Sequence, residues 1–222
     1  MKNITNHFVT EYINTYYAPV NQALHQFRTI GEKNNVPIIQ RETEQFLNSI
    51  LALKEPKKIL EIGSAIGYSA TYFAAACPQA QVYTIEKNEQ VFLEAEKNTK
   101  TYGYHDRIHC LLGDGEEQIK ALAKQDIVDF DFVFLDAGKS HYRRFLDAAI
   151  TVCAQDAIII SDNILQRGMT ASDTFDTHDK HRTNIKQMRD YLEYICTDSQ
   201  FSSSLYSIGD GVAMTIYRGK YE

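Results

Sequence analysis

Two acids and an amide close two apolar runs of this 222-residue chain: Asp136 ends DFVFLDA (131–137), and Asp162 with Asn163 ends DAIIISDN (156–163). Three oxygen donors on successive strand ends suit a hard divalent cation such as Mg2+, and leave about three of six octahedral positions for water and substrate. Mn2+ suits the same oxygen set. Lys139 follows Asp136 by three residues, so a turn or helix start aims both into one crevice. Beside a divalent cation the neutral form of a lysine is favoured, which suits a general base. Plainer readings exist for each residue: Asp136 as a helix cap, Asp162-Asn163 as a turn, Lys139 as a surface lysine. Their joint occurrence favours a metal.

The other strand ends add to this. Glu61-Ile62-Gly63-Ser64-Ala65-Ile66-Gly67-Tyr68-Ser69 follows the run KKILEIG (57–63). Gly63 lets the chain turn sharply off the strand, and Gly67 lets backbone approach a ligand as a helix begins. Ala65 holds the middle position, so this is not the dinucleotide pattern G-x-G-x-x-G. Glu86 ends the second run, about 20 residues past the glycine turn, where an acid can accept hydrogen bonds from ribose hydroxyls; it could equally head a helix as a solvated charge. Gly113-Asp114-Gly115 ends the third run, either as room for a flat ring or simply as a loop.

What must position these residues is an alternation of strands and helices from Lys57 onward. Strands are expected at 57–63, 81–87, 107–114, 131–137, 156–163, about 203–208 and about 212–218, with Gly209-Asp210-Gly211 as a hairpin-type turn between the last two. Helices are expected at about 68–76, 89–102, 115–124, 140–153 and 180–196. Near-continuous apolar strands alternating with helices imply an α/β fold, a parallel sheet covered on both faces, with ligands at the carboxyl ends of the strands. Three helices precede it, at 5–17, 19–33 and 40–53, with Pro19 in a first turn. The aromatic residues Phe8, Tyr12, Tyr16 and Tyr17 fit core, lid or interface alike. With no linker or repeat, residues 1–222 read as a single domain: a helical cap over 1–53 and a Rossmann-like core over 57–222.

Composition is that of an ordinary globular protein, 44% hydrophobic and 23% charged. No apolar run approaches the 18–20 or so residues of a membrane span, and the first twenty residues lack the apolar centre of a signal peptide. Cys77, Cys110, Cys153 and Cys196 stand far apart without metal-ligand spacing, as buried hydrophobes of a reducing compartment. The expectation is a cytoplasmic protein with no membrane partner. A net charge of −6 gives no global pull on nucleic acid, although a local basic patch can still dock RNA.

Together, LEIGSAIGYS (60–69), Glu86, GDG (113–115), DAGKSHY (136–142), DNILQRG (162–168) and GDGV (209–212) resemble the cation-dependent O-methyltransferases, the family of catechol and caffeoyl-CoA O-methyltransferases. The motifs run in the family's order over about 60–212, and the D-x-x-K and D-N pair is their specific part. The resemblance implies S-adenosylmethionine as cofactor and a Rossmann-like, seven-stranded, mostly parallel sheet with helices on both faces and an antiparallel C-terminal hairpin. It implies that Glu61 and the loop from Gly63 to Ser69 hold the methionine part. Glu86 takes the ribose hydroxyls, Asp114 and Gly115 flank adenine, and Ile39 is a further cofactor contact. Asp136, Asp162 and Asn163 become the metal ligands, Asp136 also facing the cofactor, and Lys139 the base. TEQFL (43–47) departs from the more acidic, glycine-containing version of relatives. A homodimer is expected, as is common in the family.

For the acceptor, PIIQRETEQFL (37–47) and DAGKSHY look most like the bacterial tRNA 5-hydroxyuridine methyltransferases. The uridine 5-hydroxyl and O4 are adjacent oxygens and chelate a metal as a catechol does. After Asn163 come Arg167, Lys180, Arg182, Lys186 and Arg189, with His178 and His181 nearby, and these are expected to contact RNA phosphates, Arg167, Lys180 and Arg182 first. The plainer reading is a solvated face balanced by Asp173, Asp176, Asp179 and Asp190. The alternatives are a small-molecule catechol or vicinal-diol O-methyltransferase and, further off, a non-catalytic nucleotide-binding module or a nicotinamide dehydrogenase.

Overall fold

Strands β1 (Lys58–Ile62), β2 (Gln81–Glu86), β3 (Ile108–Leu112), β4 (Phe130–Leu135) and β5 (Cys153–Asp162) are parallel, and β7 (Val212–Tyr217) joins β5 to β6 (Phe201–Tyr206) antiparallel. The computed structural model describes residues 6–177 and 180–219. Residue 5, the expected start of the first helix, and His178 and Asp179 of the basic segment lie outside the described residues. The sheet order is β3-β2-β1-β4-β5-β7-β6, so strand order reverses between β1 and β4. A crevice opens there at the carboxyl ends, the usual ligand position of such sheets.

The run-like strands are apolar because both faces are covered. Leu60, Ile62, Val133 and Leu135 pack with helices α6 (Gly115–Lys124), α7 (Tyr142–Ala149) and α8 (Arg182–Thr197). Ile59, Phe132, Phe134 and Ile160 face the other way, onto α2 (Gln22–Lys33), α3 (Arg41–Lys54) and α4 (Tyr68–Ala76). Helix α5 (Glu89–Thr101) lies beside α4 and β3. The N-terminal cap is therefore packed onto the sheet rather than held apart from it.

Several boundaries differ from expectation for local reasons. Pro19 falls outside α2, which begins after Asn21, whose side chain accepts the Leu24 N–H at 2.9 Å. The helix expected over 140–153 is a 3-10 turn at Lys139–His141 followed by α7, which stops at Ala149, because β5 already starts at Cys153 opposite Phe130. The last two strands form the expected hairpin, with β6 beginning at Phe201. Phe8 and Tyr12 of helix α1 (His7–Asn14) and Tyr16 just after it are exposed, so these aromatics are not core, whereas Tyr17 is half-buried. Cys77 is buried as expected, but Cys196 is exposed. Among the described residues no helix is long and apolar enough to cross a membrane.

Candidate active site

The ends of β1, β4 and β5 meet at the strand-order reversal. Gly63 has φ +103°, and a Cβ there would lie 2.1 Å from the Asp136 carbonyl oxygen, so only glycine lets the two strand ends close on each other. The Asp136 N–H donates to the Ile62 carbonyl at 3.0 Å and ties them. Around this junction lies a cavity of about 500 Å³, within the range of small-molecule and cofactor sites. Its walls include Ile39, Gly63, Ser69, Glu86, Asp114, Gly115, Asp136, Asp162, Asn163 and Arg167. These ten of the expected site residues therefore surround one space, whereas Glu61, Lys139, Lys180 and Arg182 are not part of its lining.

Glu61 lies just behind that wall, fully buried on β1. The Thr84 hydroxyl donates to its Oε2, while Oε1 is buried without a hydrogen-bond partner. Burial pushes this carboxyl up to about 7; the Ser69 and Thr84 hydroxyls oppose the rise, and the charges of Asp136 and Glu86 add to it. A buried acceptor without a partner leaves room for one more donor, and the ammonium of a methionine-type ligand would fit it. Glu86, at the end of β2, accepts the Ala65 N–H at 3.2 Å and the Asn88 N–H at 2.9 Å, which fixes its carboxylate on the wall.

Asp114 also lines the cavity, but its carboxylate is engaged. It accepts the Glu116 N–H at 3.0 Å as the N-cap of α6 and the Arg144 guanidinium at 2.8 Å. Burial tends to raise it, and Arg144 with the α6 backbone outweighs this and holds it below the usual carboxylate range. Gly67 does not touch the cavity. A Cβ there would come 3.2 Å from Ala95 of α5, so this glycine serves helix packing and not close approach to a ligand.

At the β4 and β5 ends, Lys139 Nζ donates to Asp136 Oδ1 at 3.2 Å, Asn163 Oδ1 at 3.0 Å and Tyr142 Oη at 3.0 Å. Tyr142 is buried, and its hydroxyl reaches the carbonyls of Asp162 (2.8 Å) and Leu135 (3.2 Å), locking the lysine's neighbour to both strands. Asp162 is 1% exposed. Its burial, and then the charge of Asp136, hold its carboxyl well above the usual range against the pull of Lys139 and the Asn163 N–H. Among the described residues no group of three or more His, Cys, Asp or Glu is placed to hold a metal. The donor set here is two carboxylates and an amide instead, and it fits a hard divalent cation by its chemistry: oxygen only, one acid fully buried, and a lysine nitrogen already drawn between Asp136 and Asn163.

Lys180 and Arg182 do not reach the cavity, whereas Arg167 lines it. Further along the segment, Lys186 pairs with Asp190 at 2.6 Å and Arg189 with Asp173 at 2.8 Å, which neutralises two of the expected phosphate contacts. Tyr68, in the glycine-turn loop, lines the cavity too, and so do four residues with no role expected from sequence: Gln40, His141, Phe145 and Asp210. Of these, Gln40, His141 and Asp210 belong to the motifs 37–47, 136–142 and 209–212. Asp210 accepts the Arg167 N–H at 2.6 Å, and its hairpin loop accepts the Ile164 and Leu165 N–H groups, so it braces the chain just beyond Asn163.

Fold and site together are those of a Rossmann-like methyltransferase. The O-methyltransferase family model matches residues 14–218, and the chain belongs to that family: it is a methyl-transfer enzyme. A caffeoyl-CoA O-methyltransferase of Populus kitakamiensis is 27% identical over 173 residues, covering 77% of this chain and 74% of the relative. A catechol O-methyltransferase of Bos taurus is 25% identical over 218 residues, covering 93% of this chain and 68% of the relative. The SAH-bound crystal structure of a methyltransferase from Podospora anserina, PaMTH1, superposes with a TM-score of 0.86 at 22% identity, covering 99% of this chain and 97% of that one.

Proposed function

We propose that the chain methylates, from S-adenosylmethionine and with the help of a divalent cation, one of two adjacent oxygens of its acceptor, the 5-hydroxyl of wobble 5-hydroxyuridine in tRNA. The observation that carries the chemistry is the convergence of Asp136, Asp162 and Asn163 on a cavity that Glu86 also lines, with Lys139 hydrogen-bonded to Asp136 and Asn163 and the buried acid Glu61 just behind the wall. When bound, S-adenosylmethionine supplies a sulfonium-activated methyl group and Mg2+ or Mn2+ a Lewis acid that lowers the pKa of a nearby hydroxyl.

The chain's own residues do the rest. Glu61 balances the cofactor's ammonium and Glu86 receives its ribose hydroxyls. Asp136, Asp162 and Asn163 hold the cation. Lys139 Nζ takes the acceptor's proton, and Tyr142, which shares a hydrogen bond with that nitrogen and spans both strand ends, keeps it aimed. Holding the acceptor oxygen against the methyl group in line supplies much of the acceleration.

Support for a tRNA acceptor comes from the exposed Arg167 at the cavity wall and the exposed Lys180 on the same segment. The ion pairs of Lys186 and Arg189 favour a second reading, a catechol or other small vicinal diol, which needs no basic rim. Transfer of labelled methyl to tRNA carrying 5-hydroxyuridine and to catechol, each with Mg2+ and with chelator, separates the two. Chelator-sensitive label in tRNA alone is expected; label in catechol alone replaces the tRNA reading with the diol one.

A further inference from the structure

The N-terminal cap carries a buried ion pair that the reaction as described does not use. Arg28 of α2 is 2% exposed and Glu44 of α3 fully buried, and the two are directly hydrogen-bonded. The guanidinium serves five acceptors: Glu44, Glu32 Oε1 (3.2 Å), Tyr17 Oη (2.9 Å), Tyr68 Oη (3.0 Å) and the Ile39 carbonyl (3.0 Å). Tyr17 and Tyr68 each donate in turn to Glu44 at 2.7 Å, and Arg28 stacks over the Tyr68 ring at 4.8 Å. Charge and hydrogen-bonding capacity are thus matched inside an apolar layer.

Two of those five partners are walls of the cofactor cavity. Ile39 belongs to the stretch 37–40, which is neither helix nor strand and lines the cavity; Tyr68 is the first residue of α4, directly after the glycine turn. The remaining partners lie away from it. A buried ion pair adds little net stability over a well-packed apolar pair, so stability alone gives no reason to place one here. Its geometry does give one, because a planar fork can hold a loop carbonyl and a helix-start tyrosine at once.

We infer that Arg28, held by Glu44, is a positioning residue for the cofactor: it clamps the 37–40 strap to the start of α4 and so preforms the cavity wall. This rests on the reading of the cavity as the S-adenosylmethionine site. Without the clamp, the strap is held only by the packing of Ile38 and Ile39, and the ordering left to cofactor binding is subtracted from affinity. The effect therefore falls on cofactor binding and not on the transfer step.

The test compares Arg28→Met, the double variant Arg28→Met with Glu44→Gln, Arg28→Lys and Tyr17→Phe, by thermal melting, by calorimetric titration with S-adenosylhomocysteine, and by KM and kcat. Arg28→Met alone strands a buried carboxylate and unfolds easily; the double variant removes both charges and recovers the melting temperature. The double variant is expected to bind S-adenosylhomocysteine about tenfold more weakly and to raise the KM for S-adenosylmethionine alike, with kcat at saturation within about threefold of wild type. Arg28→Lys, which can serve only some of the partners, falls between, and Tyr17→Phe, which does not touch the cavity, weakens binding by about threefold. A double variant, or Arg28→Lys if the double variant does not fold, that binds with wild-type affinity overturns the clamp and leaves the cofactor site standing. Absence of binding by the wild-type protein overturns the cofactor reading itself, and the clamp with it.

Discussion

Replacing Glu61 with Gln changes one atom pair and tests how the cofactor cavity is poised. Burial raises the Glu61 carboxyl from its ordinary 4.5 to about 7. That gap corresponds to roughly 3 kcal/mol in favour of the protonated acid in the folded, ligand-free protein. Because the folded state holds the proton more tightly than the unfolded chain, the stability it contributes is fully present below pH 4.5 and is lost as pH rises through about 7. Asp162, also raised, slopes the same way, so the informative quantity is the difference between wild type and Glu61→Gln. Urea unfolding with chelator present should show wild type losing about 3 kcal/mol more than the variant between about pH 4.5 and pH 8. Binding of S-adenosylhomocysteine should tighten in wild type up to about pH 7 as Glu61 ionises to meet the ammonium, and should be weak and nearly flat in Glu61→Gln. Equal pH slopes for the two proteins, in stability and in binding, would refute the argument that Oε1 is an acceptor awaiting a cation.

Other expectations follow from single contacts. Gly63→Ala places a methyl 2.1 Å from the Asp136 carbonyl in a left-handed backbone, and should cost at least ~2 kcal/mol of stability by thermal or urea melting. Lys139→Met should lower kcat by about 10²–10⁴ while S-adenosylhomocysteine affinity stays near wild type, and Tyr142→Phe, which also strips the Asp162 and Leu135 carbonyls of a donor, should lower kcat and cost about 1–3 kcal/mol. Methylation of tRNA should weaken steeply with added salt, and Arg167→Ala should flatten that dependence by about one phosphate contact; an unchanged slope removes Arg167 from the interface.

The parallel strands were legible because each is a largely apolar run followed by residues that can do chemistry, and the sheet then brings those ends together. Asp136, Lys139, Asp162 and Asn163 thus meet as their spacing implied. Gly67 misled because a glycine's freedom does not say what approaches it: here α5, at Ala95, not a ligand. The boundary between α7 and β5 was missed because the β4–β5 ladder, a long-range pairing, starts at Cys153 and overrides the helical periodicity running up to it. Arg28 and Glu44 carried no local signal, since a charge in an amphipathic helix reads as solvated until tertiary packing buries it. His141, Phe145 and Asp210 joined the cavity for the same reason: the 3-10 turn, helix α7 and the β6–β7 hairpin loop supply them, and order along the chain does not reveal that they converge. Of the basic segment, the Lys186–Asp190 pair follows from their spacing of four on α8, whereas Arg189–Asp173 depends on how the preceding segment folds back.

The central claim, that the strand-end set of Asp136, Asp162 and Asn163 with Lys139 forms a cation-assisted methyl-transfer centre, is tested most directly by the cation dependence of transfer from labelled S-adenosylmethionine. Wild-type protein stripped with chelator should lose transfer and regain it on titration with Mg2+ or Mn2+, while Asp162→Ala, still binding S-adenosylhomocysteine, should not regain it. Full transfer in chelator, or an Asp162→Ala variant that responds to the cation as wild type does, would contradict it.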